Sequence, residues 1–169
     1  MKKLFYFILL SSTIIHGQQM LMVGEKTYSA TDTWTFGCEC PSSIAPEILI
    51  AKGKDGKGML SIKIMDYMND HVGGDLLIYL MNGTIIKCQD RKIRDKANNK
   101  STSLYYLTQL EIEKMSTSRI RSIRFCIHTL DPYGHIFSKE TFIGYNKEYF
   151  SDNTKFDTEV QISELFGSY

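Results

Sequence analysis

The stretch DLLIYLMNGTIIKCQ, residues 75–89, places two apolar runs on either side of Asn82-Gly83. Asn-Gly between alternating apolar residues is the strongest short-range signal for a β-hairpin. A two-residue type I′ turn needs positive φ at both central positions, which glycine tolerates freely and asparagine better than most residues. That turn sets a register in which Met81 faces Thr84, Tyr79 faces Ile86 and Leu77 faces Cys88 on one side. Leu80 with Ile85, Ile78 with Lys87 and Leu76 with Gln89 then share the other. The first strand is apolar on both sides and is expected at the centre of a sheet covered on both faces, with its partner half solvated.

Other strands gather around this pair. Residues 33–40, TWTFGCEC, alternate so that Trp34, Phe36, Cys38 and Cys40 point to one face of an extended segment. Pro41 and Pro46 bound the connection that follows. Residues 47–52 and 58–67 form a second hairpin around the turn Gly53-Lys54-Asp55-Gly56-Lys57. Residues 69–74 read as a turn, and the charged run 90–101 reads as a mobile surface loop. Residues 102–107 read as a strand. Thr108 and Glu111 fit a capping box, predicting a short helix over 109–115. Residues 119–129 form a strand with Ile123, Phe125 and Ile127 on one face and Arg124, Cys126 and His128 on the other. Asp131-Pro132-Tyr133-Gly134 turns into a strand over 136–143. The remainder, 144–169, is ambiguous between strand and helix and is read as a strand with a frayed end.

Short strands, regular turn signals and one small helix predict a mainly β chain, an antiparallel β-sandwich-like single domain, with a partly open β-barrel as the alternative. Lys2 and Lys3 precede an apolar run from Leu4 to Leu10, and Gly17 stands before Gln18. This is the pattern of a signal peptide over residues 1–17, leaving 18–169 as one β-rich domain. The apolar run is shorter than a membrane span, so no transmembrane segment is expected. The expected location is exported, periplasmic or secreted. With a net charge of +1, nothing points to nucleic acid.

The run LYYLTQLEIEKM followed by RIRSIRF, after an Asn-Gly hairpin and an export signal ending before Gln, resembles small, uncharacterised exported β-rich proteins of Bacteroidota-type bacteria. The resemblance covers residues 75–128 and implies an envelope or secreted location. It carries no catalytic residue.

Cys38, Cys40, Cys88 and Cys126 make an even number in an exported chain, so all four are disulfide candidates. Alternation puts Cys38, Cys40 and Cys88 on core-facing sides, and a bridge from Cys88 to Cys38 or Cys40 is expected. Some of the four could equally be buried free thiols. Cys38 and Cys40 with His71, His128 or His135 could bind a soft ion, but the spacing is not that of a structural zinc knuckle. No metal and no cofactor is expected.

The chain has no G-x-S-x-G, H-E-x-x-H, P-loop or G-x-G-x-x-G pattern. His135 with Asp131 and Glu140, or His71 with Asp70 and Asp75, could be assembled into an acid/base site, but turn and surface roles explain them as well. No catalytic residue is assigned. Six basic residues (Lys87, Arg91, Lys92, Arg94, Lys96, Lys100) stand between 87 and 100 against Asp90 and Asp95. Arg91, Lys92, Arg94 and Arg124 are therefore binding candidates for an anionic glycan or a lipid head group, and another protein is a further partner to consider. Tyr145 and Tyr149, in an aromatic-rich C-terminal stretch, are candidates for a sugar or peptide platform. The expected function is a binding or interaction module of the cell envelope, with a small His/Asp/Glu hydrolase as the alternative.

Overall fold

The computed structural model describes residues 19–23, 25–38, 45–53, 55–148 and 153–167 of the chain. The expected signal peptide, residues 1–17, lies outside them. The fold is mainly β, with two antiparallel sheets, one curled into a half-barrel, and two helices. The strands are β1 (Gln19–Val23), β2 (Lys26–Ala30), β3 (Trp34–Thr35), β4 (Gly37–Cys38), β5 (Glu47–Lys52), β6 (Gly58–Met65), β7 (Asp70–Leu80), β8 (Ile85–Cys88), β9 (Ile93–Ala97), β10 (Lys100–Leu107), β11 (Ile120–Leu130) and β12 (Ile136–Tyr145). Helix α1 (Gln109–Thr117) joins β10 to β11, and α2 (Thr158–Gly167) follows β12.

A seven-stranded sheet runs β1-β2-β5-β6-β10-β9, with β3 also paired to β5, and a five-stranded sheet runs β4-β12-β11-β7-β8. The two sheets close on one core. Ile48, Ile50, Leu60, Ile62 and Tyr105 meet Val72, Leu76, Ile78, Ile123 and Phe125, and Ile112, Met115 and Ile162 of the helices join the same cluster. Two hydrogen bonds tie the sheets at one edge. Ser103 Oγ donates to Val72 O at 2.7 Å and Tyr105 OH donates to Gly74 O at 2.9 Å. The alternating stretch beginning at Trp34 changes sheets. β3 pairs with β5 and β4 pairs with β12, so buried Trp34 and Phe36 sit where the chain crosses between the layers.

The central hairpin forms, but one residue out of the expected register. Tyr79 pairs with Ile85, Ile78 with Ile86, Leu77 with Lys87 and Leu76 with Cys88. The loop has three residues: Gly83 N–H donates to Leu80 O at 3.1 Å and Leu80 N–H donates to Thr84 O at 2.9 Å. Gly83 has φ +86 while Asn82 has no positive φ, which is the geometry of a type I turn closed by a glycine bulge. Tertiary bonds select it. Met81 N–H donates to Arg119 O at 2.9 Å, Asn82 N–H donates to Ser118 Oγ at 3.2 Å, and Asn82 Oδ1 accepts from Thr84 N–H at 3.0 Å. A one-residue slip exchanges faces: Leu76, Ile78, Leu80, Ile86 and Cys88 are buried, while Leu77 and Tyr79 are half-buried and Ile85 and Lys87 exposed. β7 is central, between β8 and β11, but its second face is only partly covered.

Four further expectations are corrected. Residues 70–74 open strand β7 rather than forming a turn. The charged run 90–101 contains β9, and its Asn98-Asn99 pair, with φ +52 and +57, is the positive-φ turn that joins Ala97 to Lys100. The C-terminal segment forms helix α2, so the described residues hold two helices rather than one. Cys88 and Cys126 are free thiols, which overturns a bridge from Cys88. Burial next to Ile86 and Leu76 makes Cys88 a small core hydrophobe, its thiol pushed up to about 12. Cys38 is not a free thiol, and Cys40 lies outside the described residues.

Candidate functional site

Strand alternation puts Met59, Ser61 and Lys63 of β6 and Leu104 and Tyr106 of β10 on the outer face of the seven-stranded sheet, away from the shared core. A second apolar cluster forms there from Leu21, Ala30, Ala51, Met59 and Leu104, with Val23, Tyr28, Leu49 and Ile93 packed against it. The expected aromatic platform of the C-terminus is not part of it.

A cleft of about 1080 Å³ opens over the end of this face. Met59, Tyr106 and Leu107 supply its apolar lining. The β1–β2 hairpin contributes Glu25, Lys26, Thr27 and Tyr28, the β5–β6 turn contributes Gly53, Asp55 and Lys57, and the cap of α1 contributes Thr108 and Gln109. Arg91, from the connection between β8 and β9, completes the lining, its guanidinium 5.4 Å from the centre of the Tyr106 ring. A guanidinium at that distance is held by the negative face of the ring, and the pair presents a cation and an aromatic surface together.

The local sequence builds each wall. Gly53 N–H donates to Lys57 O at 2.7 Å and Gly56 N–H to Gly53 O at 3.0 Å, with Gly56 at φ +77, so the turn closes tightly. Asp55 Oδ1 accepts from Lys57 N–H at 3.2 Å, and its other oxygen lies 3.0 Å from Lys57 Nζ. The Lys57 ammonium holds the Asp55 carboxyl below the usual carboxylate range. On the opposite wall the capping box is present as expected. Glu111 N–H donates to Thr108 Oγ1 at 3.3 Å and Thr108 N–H to Glu111 Oε2 at 2.7 Å, which fixes the rim where α1 begins.

With Asp55 matched by Lys57, the remaining charges of the lining among the described residues are Lys26 and Arg91 against Glu25. The lining therefore offers two tyrosines, two cations beyond the paired one, hydroxyls of Thr27 and Thr108 and the Gln109 amide. Its ionisable acids are Glu25 and the lysine-bound Asp55, and it contains no imidazole or thiol. Such a surface can stack a flat ring, pair with an anion and donate several hydrogen bonds.

Of the sequence candidates among the described residues, only Arg91 lies in the cleft. Lys92 is exposed at φ +59, and its N–H donates to Asp90 Oδ1 at 2.7 Å. Arg94 turns inward to Asp90, 2.6 Å away, in a pair whose side chains are 19% and 13% exposed. Arg124 stands on the outer face of the five-stranded sheet, in register with Leu77 and through it with Lys87. The four basic candidates therefore stand in different surroundings. Tyr145 lies on β12 with Lys147 Nζ 5.6 Å from its ring centre, and Tyr149 lies outside the described residues. His135 is tied to a turn: Asp131 accepts from the backbone N–H groups of Tyr133 and His135, and from its ring at 3.2 Å.

Sequence reasoning missed Tyr28, Met59 and Tyr106. The SLYYL alternation does separate Tyr105 from Tyr106, but nothing local says which of the two faces holds a cleft. No protein-family model, curated protein or solved structure matches this chain.

Proposed function

We propose that this chain is an exported binding module of the cell envelope that holds an anionic saccharide in the cleft on the outer face of the seven-stranded sheet. The observation that carries the reading is Arg91 over the Tyr106 ring, beside Tyr28 and Lys26, in a lining of hydroxyl and amide groups. A sugar ring offers C–H faces to tyrosine and hydroxyls to Thr27 and Gln109, while a uronate or sulfate group pairs with Arg91. Export is supported by the lysine-headed apolar run at the start of the chain. A hydrolase would need an acid and a base free to exchange protons; Asp55 is committed to Lys57, which leaves Glu25 as the one acid without an ion pair among the described lining residues. Calorimetric titration of the protein with a uronate oligosaccharide tests the reading. Arg91→Ser and Tyr106→Ala are expected to weaken binding about ten-fold each, equivalent to about 1.4 kcal/mol. Lys92→Ser is expected to leave it unchanged, and equal affinity of all four proteins would remove the cleft from consideration.

A further inference from the structure

The cation that faces Tyr106 sits on a segment that no ladder holds. Residues 89–92 join β8 to β9 without pairing to a strand among the described residues. Arg91 in that segment is exposed, yet its guanidinium lies 5.4 Å from the centre of the Tyr106 ring. A long side chain on an unpaired backbone loses conformational freedom when it meets a ligand, and fixing the backbone beforehand reduces that loss.

The bonds that can fix it converge on Asp90, whose side chain is 13% exposed. Its Oδ1 accepts from Lys92 N–H at 2.7 Å, closing a turn in which Arg91 is the middle residue and Lys92 takes φ +59. Its Oδ2 accepts from Gly74 N–H at 2.8 Å and from the Arg94 guanidinium at 2.6 Å. The Asp90 N–H donates to Asp75 Oδ1 at 3.1 Å, and the other oxygen of Asp75 lies 2.9 Å from Lys87 Nζ. The anchor at Gly74 also reaches the other sheet. Gly74 O accepts from Tyr105 OH at 2.9 Å, and Tyr105 precedes Tyr106 on β10. Gly74 stands where β7 slips register against β11 and takes φ +73, a conformation that glycine adopts without strain. It thus links the residue before Arg91 to the residue before Tyr106.

We propose, resting on the saccharide reading for the ligand, that Asp90 is a positioning residue of the cleft: its carboxylate, anchored on Gly74 and closing the turn at Lys92, holds the Arg91 guanidinium over Tyr106 to meet a uronate or sulfate. Arg94 has a part in this arrangement. A bare carboxylate beside Arg91 would compete with the ligand's anion for the guanidinium, whereas the charge of Asp90 is matched by Arg94. Exposed Arg91 is left to the ligand.

The experiment compares wild type, Asp90→Ala, Arg91→Ser and the double variant by calorimetric titration with a uronate oligosaccharide and by NMR without ligand, with thermal melts confirming that each is folded. Asp90→Ala is expected to weaken uronate binding about three- to ten-fold, the range set by ordering one long side chain. It is expected to have no further effect in the Arg91→Ser background, because it acts through Arg91. Asp95→Ala, which removes an exposed carboxylate of β9, is expected to change nothing. Unchanged affinity in Asp90→Ala, or losses that add in the double variant, would overturn the proposal. By NMR the Tyr106 ring displaces the side-chain proton shifts of Arg91, read as the difference between wild type and Tyr106→Leu. Collapse of that difference in Asp90→Ala supports the proposal, and its retention overturns it. This reading needs no ligand, so a wild-type protein that does not bind uronate removes the saccharide reading while the role of Asp90 is still decided by the shifts. Should Asp90→Ala not fold, Gly74→Ala takes its place and is read in the same way, since a methyl there has open space but strains the φ +73 backbone that anchors Asp90.

Discussion

Replacing Asn146 should cost considerable stability, because this side chain holds the C-terminal segment to the sheet. Asn146 follows β12 and is buried. Its Nδ2 donates to Ile120 O and to Phe156 O, both at 2.9 Å, and its Oδ1 accepts from Phe156 N–H at 2.9 Å. Asn146→Ala removes these three bonds and strands two carbonyls and one N–H where water reaches poorly. At about 1 kcal/mol for each bond, the loss is about 3 kcal/mol, a large share of the 5–15 kcal/mol typical of a domain. For a chain of this size 1 kcal/mol moves the melting temperature by roughly 2–4 °C, so a fall of about 6–12 °C is expected by circular dichroism. Asn146→Asp should be at least as damaging at neutral pH, since a carboxylate would face two carbonyl oxygens. A fall of less than about 2 °C for Asn146→Ala would refute the view that this clamp fastens α2.

Cys126 should react with a thiol reagent in the native protein while Cys88 stays silent, because a thiol pushed up to about 12 by burial is only about one part in ten thousand thiolate at pH 8. Rapid native labelling at Cys88, read by peptide mass spectrometry, would contradict its packing. Asn99→Ala should destabilise the β9–β10 hairpin by about 1 kcal/mol and Asn99→Gly should not, since the position has φ +57; equal urea midpoints for the two would refute the assignment. Asp66 and Asp90 titrate low in the fold: burial works to raise both, but their bonds to Lys96 and Arg94 and to backbone N–H groups outweigh it. Their stabilisation is therefore complete above the unfolded value of about 3.9 and is lost as pH falls through the depressed folded values. Urea titrations should show stability declining below about pH 4, and declining less steeply in Asp90→Asn; an identical slope in the variant would count against the Arg94 pair.

The elements that were legible in the sequence are those whose pattern is local. The alternation of Ile123, Phe125 and Ile127 against Arg124, Cys126 and His128 appears in β11 with both faces as expected, and the Thr108–Glu111 cap starts α1 at Gln109. The register of the Asn82-Gly83 hairpin was not legible, because bonds from Ser118 and Arg119, more than thirty residues away, choose the loop length. Helix α2 was hidden for a similar reason. Its packing depends on Asn146, on Thr158 Oγ1 accepting from Ile120 N–H at 2.8 Å, and on Gln161 Oε1 accepting from Trp34 Nε1–H at 3.0 Å. The charge count of 87–100 was read correctly as basic, but adjacent residues of a strand and its flanking turns point in different directions. Arg91, Arg94 and Arg124 consequently serve three different environments, and only Arg91 reaches the cleft.

The saccharide reading is tested most directly by mapping amide shift changes in the isotopically labelled protein on addition of a uronate oligosaccharide. Changes gathered at Tyr28, Met59, Arg91, Tyr106 and Gln109, and abolished at equal saccharide by Arg91→Ser, are the expected result. Changes gathered instead around Lys87 and Arg124 on the opposite sheet, or none at millimolar saccharide, would contradict it.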